Sequence, residues 1–437
     1  MYLAKAMQDY QQKPYRASNF AAQFNNSHSV DGGLLLRIGF AALIISSLAL
    51  PSGSLFGVPI KHLSYLLCVI SLFWYWMKGG KINSGVLVLF FLISAFVIFY
   101  TLIGLFNSVA YFPHIILEGT GFFTAVTLVL LVAAATEMQA ISSEDLLSYA
   151  FYGALIFSMW KVAVVLALVF RIVYYPDVYA FFIANIGYKP VASGIFGGLV
   201  RFNFIIYDFV VAFFLFLIPA YPRAFSKVPV YARIVFMAFG TACLVFAFSR
   251  LLFALVALLW GYVFLVKISF RSKLIVIFLA LLAFTVSLPW LEGAYEQRFN
   301  HVQSARSDDI RFEQVSALLG AWSSSPIIGG GLGFYAKDLI RDPNAPFSYE
   351  VQWIGFLAKF GMFGIFFLMS LFVLLFSKLL ERGRTIDHYL LSFVLACFVL
   401  GGFTNQYLVS SASGVFYSIH LLMSSILRRA SKDGLIN

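Results

Sequence analysis

The residues best suited to chemistry lie in the one long polar segment inside an otherwise apolar chain. This segment, residues 290–350, contains Arg298, Arg306 and Arg311, followed by the glycine-rich run GGGLG. Arginine presents a planar fork of N–H donors that fits phosphate and pyrophosphate oxygens. The loop arginines could also be solvated charges balanced by neighbouring acidic residues. A polar segment of this kind nevertheless favours an anionic substrate.

Two further arginines lie on the predicted outer side of the membrane, whereas most of the other basic residues flank the predicted spans on the cytoplasmic side. Arg201 stands in GIFGGLVRFNF at the outer mouth of a predicted span, and Arg250 stands in FAFSRLLFALV at a tight turn between two spans. A lone arginine at a span end can extend its charged head to the interface. A guanidinium inside a helix bundle is costly unless it is paired or binds an anion. Together with the loop arginines, the two form a predicted set on one side of the membrane.

A carboxylate closes the polar segment. Glu350, in SYEVQWIGF, stands at the outer entrance of the next predicted span, where partial desolvation would make it a better general base. The alternative is an ion pair with Lys359 or with a loop arginine. His301 is a secondary base candidate, and Tyr349 is a candidate substrate-binding residue.

Other polar residues have more modest interpretations. Gly331, in the middle of GGGLG, is expected either to pack tightly or to let the backbone approach a ligand closely. Asp208 and Glu118 lie within apolar runs, and we expect them to pair with Lys161 or Arg201 and hold the bundle together. The glycine run lacks the strand, helix and lysine of a phosphate loop, so it does not predict nucleotide binding. The cysteines have no metal-type spacing.

The composition assigns most of the chain to lipid. Of 437 residues, 61% are hydrophobic and 11% charged, and the mean hydropathy is +0.90. The net charge of +11 does not indicate nucleic acid, because the basic residues flank apolar segments on alternate sides, as the positive-inside rule predicts. Twelve apolar runs can cross about 30 Å of hydrocarbon. They are residues 34–50, 62–77, 84–106, 114–135, 146–170, 202–221, 231–249, 251–266, 274–290, 351–376, 388–405 and 412–427.

These runs predict an all-α, polytopic membrane protein with both termini on the cytoplasmic side. A cytoplasmic tail (1–33) precedes nine spans (34–290), a long outer loop (291–350), and three spans with a short tail (351–437). Within the loop, apolar residues at helical spacing predict a short amphipathic helix from Asp308, with the acidic pair at its start, lying against the membrane face.

The order of these features resembles the O-antigen ligase and Wzy-type polymerase superfamily of bacterial inner membranes. The Ser-Arg turn at Arg250, the run RFEQVSALLGAWSSSPIIGGGLGFY from Arg311, and the span beginning YEVQWIGFLAKFGMFG carry the likeness. The resemblance implies a C-type glycosyltransferase fold with a periplasmic loop and a periplasmic active site. Ligases of the family usually carry a histidine where this chain has Tyr349 and Glu350, which favours a polymerase.

The implied activity is metal-independent transfer of a glycan from undecaprenyl pyrophosphate, without a cofactor. Arg201, Arg250 and Arg311 would then grip the pyrophosphate, with Arg298 and Arg306 as further binding residues, while Glu350 would activate the acceptor hydroxyl. A separate chain-length regulator and a flippase would be partners. Two alternatives remain open at this point: a ligase that moves finished glycan to lipid A core, and a flippase or other transporter for a lipid-linked saccharide. A purely structural membrane partner fits the loop arginines least well.

Overall fold

A computed structural model describes most of the chain. The described residues are 30–52, 54–107, 109–186, 191–194, 200–247, 249–267, 273, 301–340, 342, 345–381 and 385–432. The predicted ninth span (274–290), most of the predicted cytoplasmic tail and Arg298 lie outside them.

The described part is built mainly from helices. They are α1 (Val30–Ala49), α2 (Ile60–Met77), α3 (Ser84–Phe106), α4 (Phe112–Glu137), α5 (Ser143–Val169), α6 (Tyr175–Phe181), α7 (Ile205–Ala220), α8 (Val230–Ala247), α9 (Arg250–Tyr262), α10 (His301–Ser323), α11 (Gln352–Glu381), α12 (Ile386–Gly401) and α13 (Ser411–Lys432). Short π-helical stretches follow α6 at Phe182–Ile186 and α9 at Val263–Lys267, and a 3-10 turn follows α7 at Pro222–Phe225.

Local signals in the sequence explain several helix starts. Asn83 caps α3, where its side-chain oxygen accepts a hydrogen bond from the backbone N–H of Gly85 at 2.8 Å. Ser142 caps α5 by accepting from the N–H of Asp145 at 3.1 Å. Pro113 occupies the first turn of α4, where its missing N–H costs nothing.

Within the described residues, six helices are long and apolar enough to cross a bilayer, and four shorter helices are also apolar. The six are Ile60–Met77, Ser84–Phe106, Phe112–Glu137, Ser143–Val169, Val230–Ala247 and Gln352–Leu379; the shorter ones are Gly33–Ala49, Ile205–Ala220, Leu251–Val266 and Ile386–Gly401. The chain is therefore a multi-pass membrane protein, as predicted. The total of twelve spans and the C-type glycosyltransferase fold stay predictions.

The described part is mostly helical, as predicted, and one short β-hairpin precedes α7. Strand β1 (Val191–Gly194) pairs antiparallel with β2 (Val200–Asn203), with Ser193 opposite Arg201. The prediction that the sixth span begins at residue 202 was wrong, since α7 begins only at Ile205. Hydrophobicity alone misplaced this boundary, because Phe202 and Phe204 are apolar but lie fully buried in and just after β2.

The long loop contains a helix that is longer than predicted. Helix α10 begins at His301, so Asp308 and Asp309 lie in its interior and the prediction of a helix start there was wrong. Leu318 on α10 is buried in a small apolar cluster, while Phe312 is 72% exposed. The other buried members of that cluster are Phe334, Ala336, Tyr349, Val351 and Ala358. Helix α10 therefore packs on the start of α11 and on the segment that follows the glycine-rich run.

Helix α11 is broken where the glycine-rich run meets it. Gly361 has φ 58° and ψ −169°, which interrupts the helix after two turns. On either side of this break, backbone groups of α11 bond to the loop: Gly331 N–H donates to the Lys359 carbonyl at 2.8 Å, and Phe363 N–H donates to the Ile327 carbonyl at 3.1 Å. The loop thereby satisfies polar backbone groups that the break exposes, as irregular backbone at membrane depth requires.

Gly331 sits where no side chain can be accommodated. Its φ is +84°, and a Cβ atom there would lie 2.2 Å from the backbone nitrogen of Gly104 on α3. We expect Gly331→Ala to destabilise the protein by about 3 kcal/mol, because left-handed strain adds to a backbone clash that no rotamer relieves. The measurement is the unfolding temperature in detergent.

Gly320→Ala is the matched control for this prediction. A Cβ at Gly320, on α10, would meet no atom within 4 Å. Alanine in a helix interior should leave stability unchanged or raise it by about 0.5–1 kcal/mol. Equal unfolding temperatures for the two variants would show that the glycine-rich run is not packed against α3 as described.

Candidate functional site

The structure joins the predicted loop arginine to the predicted base. Arg311, on α10, places its Nε 3.2 Å from Oε2 of Glu350, which lies just before α11. Both side chains are about one-third exposed. Arg311 also holds Asp308 one turn earlier, with Nη1 2.9 Å from Oδ1. The ion pair that was the alternative to a base role for Glu350 is therefore present, with a loop arginine, whereas Lys359 pairs with Glu118.

Helix α10 holds Glu350 at a second point. The side-chain oxygen of Gln314, one turn after Arg311, accepts a hydrogen bond from the backbone N–H of Glu350 at 2.8 Å. Gln314 is fully buried. Sequence reasoning missed this residue, although its spacing of three from Arg311 places both on the same face of a helix. The carboxylate and the backbone of Glu350 are thus both fixed by α10.

Arg201 lies beside the turn that carries Arg250. From β2, its Nε donates to the carbonyl of Ala247 at 3.3 Å, at the end of α8. Arg250 is the first residue of α9, and Ser249 is its N-cap. Burial lowers the pKa of the Arg201 guanidinium, and the nearby carboxylate of Asp208 opposes that effect. The hairpin therefore places one predicted pyrophosphate-binding arginine next to the helix start that carries the other.

A fully buried ion pair holds the end of the strand that carries Arg201. Lys161 on α5 and Asp208 on α7 lie 2.5 Å apart, and both side chains have no exposed surface. The second oxygen of Asp208 accepts from the N–H of Phe204 at 2.8 Å, directly after β2. This confirms the predicted partner of Asp208. The pair also fixes the end of the hairpin that presents Arg201.

The junction between α12 and α13 links the two halves of the candidate site. The side-chain oxygen of Gln352, at the start of α11, accepts from the N–H groups of Tyr407 and Leu408 at 2.9 and 2.7 Å. At the other side of the junction, a Cβ at Gly401 would lie 3.7 Å from the side chain of Leu251, at the start of α9. The elements that carry the two groups of arginines therefore meet at one end of the bundle. Within the described residues, no hydrogen bond or ion pair joins Arg201 directly to Arg311.

The remaining predicted site residues have different environments. Tyr349 is buried, and its hydroxyl accepts from Ala336 N–H at 2.8 Å and donates to the Leu339 carbonyl at 3.3 Å. Burial raises the pKa of Tyr349 to about 12, so its hydroxyl keeps its proton at neutral pH. Gly331 packs tightly against α3, which was the first of the two roles expected for it. His301 and Arg306 lie in the first turns of α10 and Arg250 is the first residue of α9, and the part of the chain that the structure describes does not include the side chains of these three residues.

The predicted partner of Glu118 was wrong. Glu118, on α4, pairs with Lys359 on α11 rather than with Lys161 or Arg201. Lys161 is occupied by Asp208, and Arg201 lies in the hairpin. This pair could not be predicted from the sequence, because its two members are far apart along the chain and neither belongs to a motif.

Most of the candidate site lies in a segment that matches a known protein family. Residues 234–369 match the family model described as O-antigen ligase. This segment of the chain is therefore similar to the O-antigen ligase family. The match confirms the predicted resemblance and contains Arg250, Arg311, Gly331, Tyr349 and Glu350, while Arg201 lies before it. It covers less than a third of the chain. None of the curated proteins matches the chain.

The O-antigen ligase family supports glycan transfer of the ligase or polymerase type and does not distinguish the two. It accords with lipid-linked saccharides as substrates in a membrane.

Proposed function

We propose that this protein is a polymerase that joins lipid-pyrophosphate-linked oligosaccharide units into O-antigen, capsule or exopolysaccharide at the periplasmic face of a bacterial inner membrane. The observation that carries the proposal is the contact between Arg311 and Glu350 within the family domain. One member suits a phosphate oxygen, and the other suits the proton of an attacking hydroxyl. They are brought together from opposite ends of the described loop.

The proposed reaction is a single displacement. A sugar hydroxyl of the incoming unit attacks the anomeric carbon of the glycan carried on the donor lipid, and its proton passes to the carboxylate of Glu350. The new glycosidic C–O bond forms as the bond from that carbon to the pyrophosphate oxygen breaks. Arg201, Arg250 and Arg311 stabilise the negative charge that develops on the leaving pyrophosphate, as donors in an oxyanion hole do.

The arrangement of the arginines supports this division of roles. Arg201 and the start of α9 lie together within the helix bundle, where a lipid pyrophosphate can keep its hydrocarbon tail among the spans. Arg311 lies on the helix of the polar loop, where an acceptor saccharide can arrive from water. In this proposal Arg201 and Arg250 accompany the donor lipid, while Arg311 lies beside Glu350, where the pyrophosphate of the donor would meet the acceptor.

The proposed polymerase is tested with purified protein in nanodiscs and lipid-pyrophosphate-linked repeat units alone. A polymerase produces a ladder of glycans that grows by whole repeat units without any lipid A core. A protein that transfers glycan only when lipid A core is added is the ligase. A protein that moves labelled lipid-linked saccharide across the bilayer and forms no glycosidic bond is a transporter, and the proposal is then wrong.

A further inference from the structure

One buried ion pair ties together the two ends of a segment of the polar loop. Glu118 and Lys359 form a salt bridge, with side chains only 15% and 5% exposed. The second oxygen of Glu118 accepts from Gly333 N–H at 2.8 Å. The Lys359 ammonium also donates to the Phe347 carbonyl at 2.7 Å. We call residues 334–346, which lie between these two ties, the arm.

The arm is connected to the candidate base. Beyond the Phe347 tie, the chain continues directly to Tyr349, whose hydroxyl bonds back to Ala336 and Leu339 inside the arm. Glu350 follows next. A movement of the base of the arm would therefore pull on the backbone of Glu350, which α10 holds from its other side through Arg311 and Gln314.

The charges of this pair need a reason beyond packing. Burying an ammonium and a carboxylate is costly, and apolar residues of similar volume often replace a buried pair with no loss of stability. Glu118 and Lys359, however, each make a further hydrogen bond, and the two bonds hold opposite ends of the arm. Two apolar side chains could fill the same space but could make neither tie.

We propose that Glu118 and Lys359 are positioning residues for glycosyl transfer: their ion pair fixes the base of the arm and thereby holds Glu350 against Arg311. This inference rests on the role of Glu350 in the proposed function. In this role neither residue of the pair contacts the substrate. They act through the geometry of Glu350, and a displacement of about 1 Å at a reacting group can cost 10²-fold in rate.

A double-mutant cycle separates positioning from a general structural role. Lys359→Met is expected to lower kcat about 10- to 100-fold, with KM for the lipid-linked donor changed less than about 3-fold. In a Glu350→Gln background, where the base is already absent, the same change should cost less than about 3-fold, because residues that act as a unit are non-additive. Lys359→Arg should recover most of the activity. An equal loss in both backgrounds would overturn the inference.

Two further variants keep this test interpretable. Glu118→Gln with Lys359→Met removes both charges, leaves an oxygen that can accept from Gly333, and loses the tie to Phe347; it replaces Lys359→Met in the cycle should that single variant fail to fold. Lys227→Met is the matched control. Lys227 pairs with Asp145 in a partly exposed bridge at a different junction, between α5 and the segment after α7. Its loss should leave kcat unchanged.

A second measurement does not depend on catalysis. Ala336 is 4% exposed within the arm. In a chain freed of its three native cysteines, Ala336→Cys should react slowly with a membrane-impermeant maleimide, and Lys359→Met should raise that rate at least about 10-fold by the local-opening argument. Lys227→Met should not raise it. An unchanged rate in a protein that does form glycan ladders would overturn the inference alone. A wild-type protein that forms no ladder would overturn the proposed function and the positioning role with it.

Discussion

Arg250→Ala is expected to leave the protein inserted in the membrane and to abolish long glycan chains. In the proposed reaction this guanidinium neutralises the leaving pyrophosphate, and losing one such donor typically costs about 10²–10³ in rate. Arg250 begins α9, and Arg201 contacts the end of the preceding helix, so both belong to the same end of the bundle. The measurement is the length distribution of glycan on a gel, with membrane levels of the protein determined in parallel.

Two controls sharpen the Arg250 prediction. Arg250→Lys keeps the charge but loses the fork of donors, so it should restore only part of the chain length. Arg429→Ala removes an arginine on α13 that is 56% exposed and pairs with Glu144 at 3.4 Å, away from the candidate site. That variant should behave as wild type. Normal chain lengths from Arg250→Ala would refute the role assigned to Arg250.

Glu350→Gln is expected to lower the turnover of lipid-linked units by about 10²–10⁴, the usual contribution of a general base. Glutamine keeps the size of the side chain and can still accept a hydrogen bond from Arg311, so the fold of the loop should be retained. The rate of ladder growth measures the effect, and the unfolding temperature in detergent checks that the loop remains packed.

Asp308→Asn is the matched control for Glu350→Gln. Both changes remove a carboxylate that contacts Arg311, at 2.9 Å for Asp308 and 3.2 Å for Glu350. Asp308 is 61% exposed and lies one turn away on the same helix, so its pair with Arg311 is a surface pair of small energetic value. A loss of activity confined to Glu350→Gln supports the base. Equal losses would indicate that both carboxylates merely orient Arg311.

The sequence predicted the helices well because lipid imposes a simple rule on them. Apolar runs of sufficient length form helices that satisfy their own backbone, and the apolar helices of the described residues overlap the predicted runs, whereas the short helix α6 lies in a predicted loop. The rule does not apply to the hairpin at Arg201, where buried Phe202 and Phe204 read as the start of a span. The rule also cannot detect the break at Gly361. The interruption of α11 is possible because the glycine-rich run and the residues before it bond to the backbone groups that the break leaves free.

Contacts within the candidate site could be predicted from the sequence only where the two residues lie close together along the chain or were already paired as candidates. The contact of Arg311 with Asp308 follows from helical spacing, and its contact with Glu350 was one of two stated alternatives. The tie from Gln314 to Glu350 was missed because a buried glutamine resembles any other polar residue of an amphipathic helix. The pair of Glu118 and Lys359 depends on how α4 and α11 pack, which a single sequence does not encode in any short pattern.

The central claim is that separate arginines bind one lipid pyrophosphate at the mouth of the helix bundle. The most direct measurement is a cryo-EM structure of the protein in a nanodisc with a non-transferable lipid pyrophosphate donor. We expect phosphate density within about 3 Å of the guanidinium groups of Arg201, Arg250 and Arg311, the ordinary length of charge-assisted hydrogen bonds. Phosphate density held by other residues, with these three arginines facing bulk lipid or water, would contradict it.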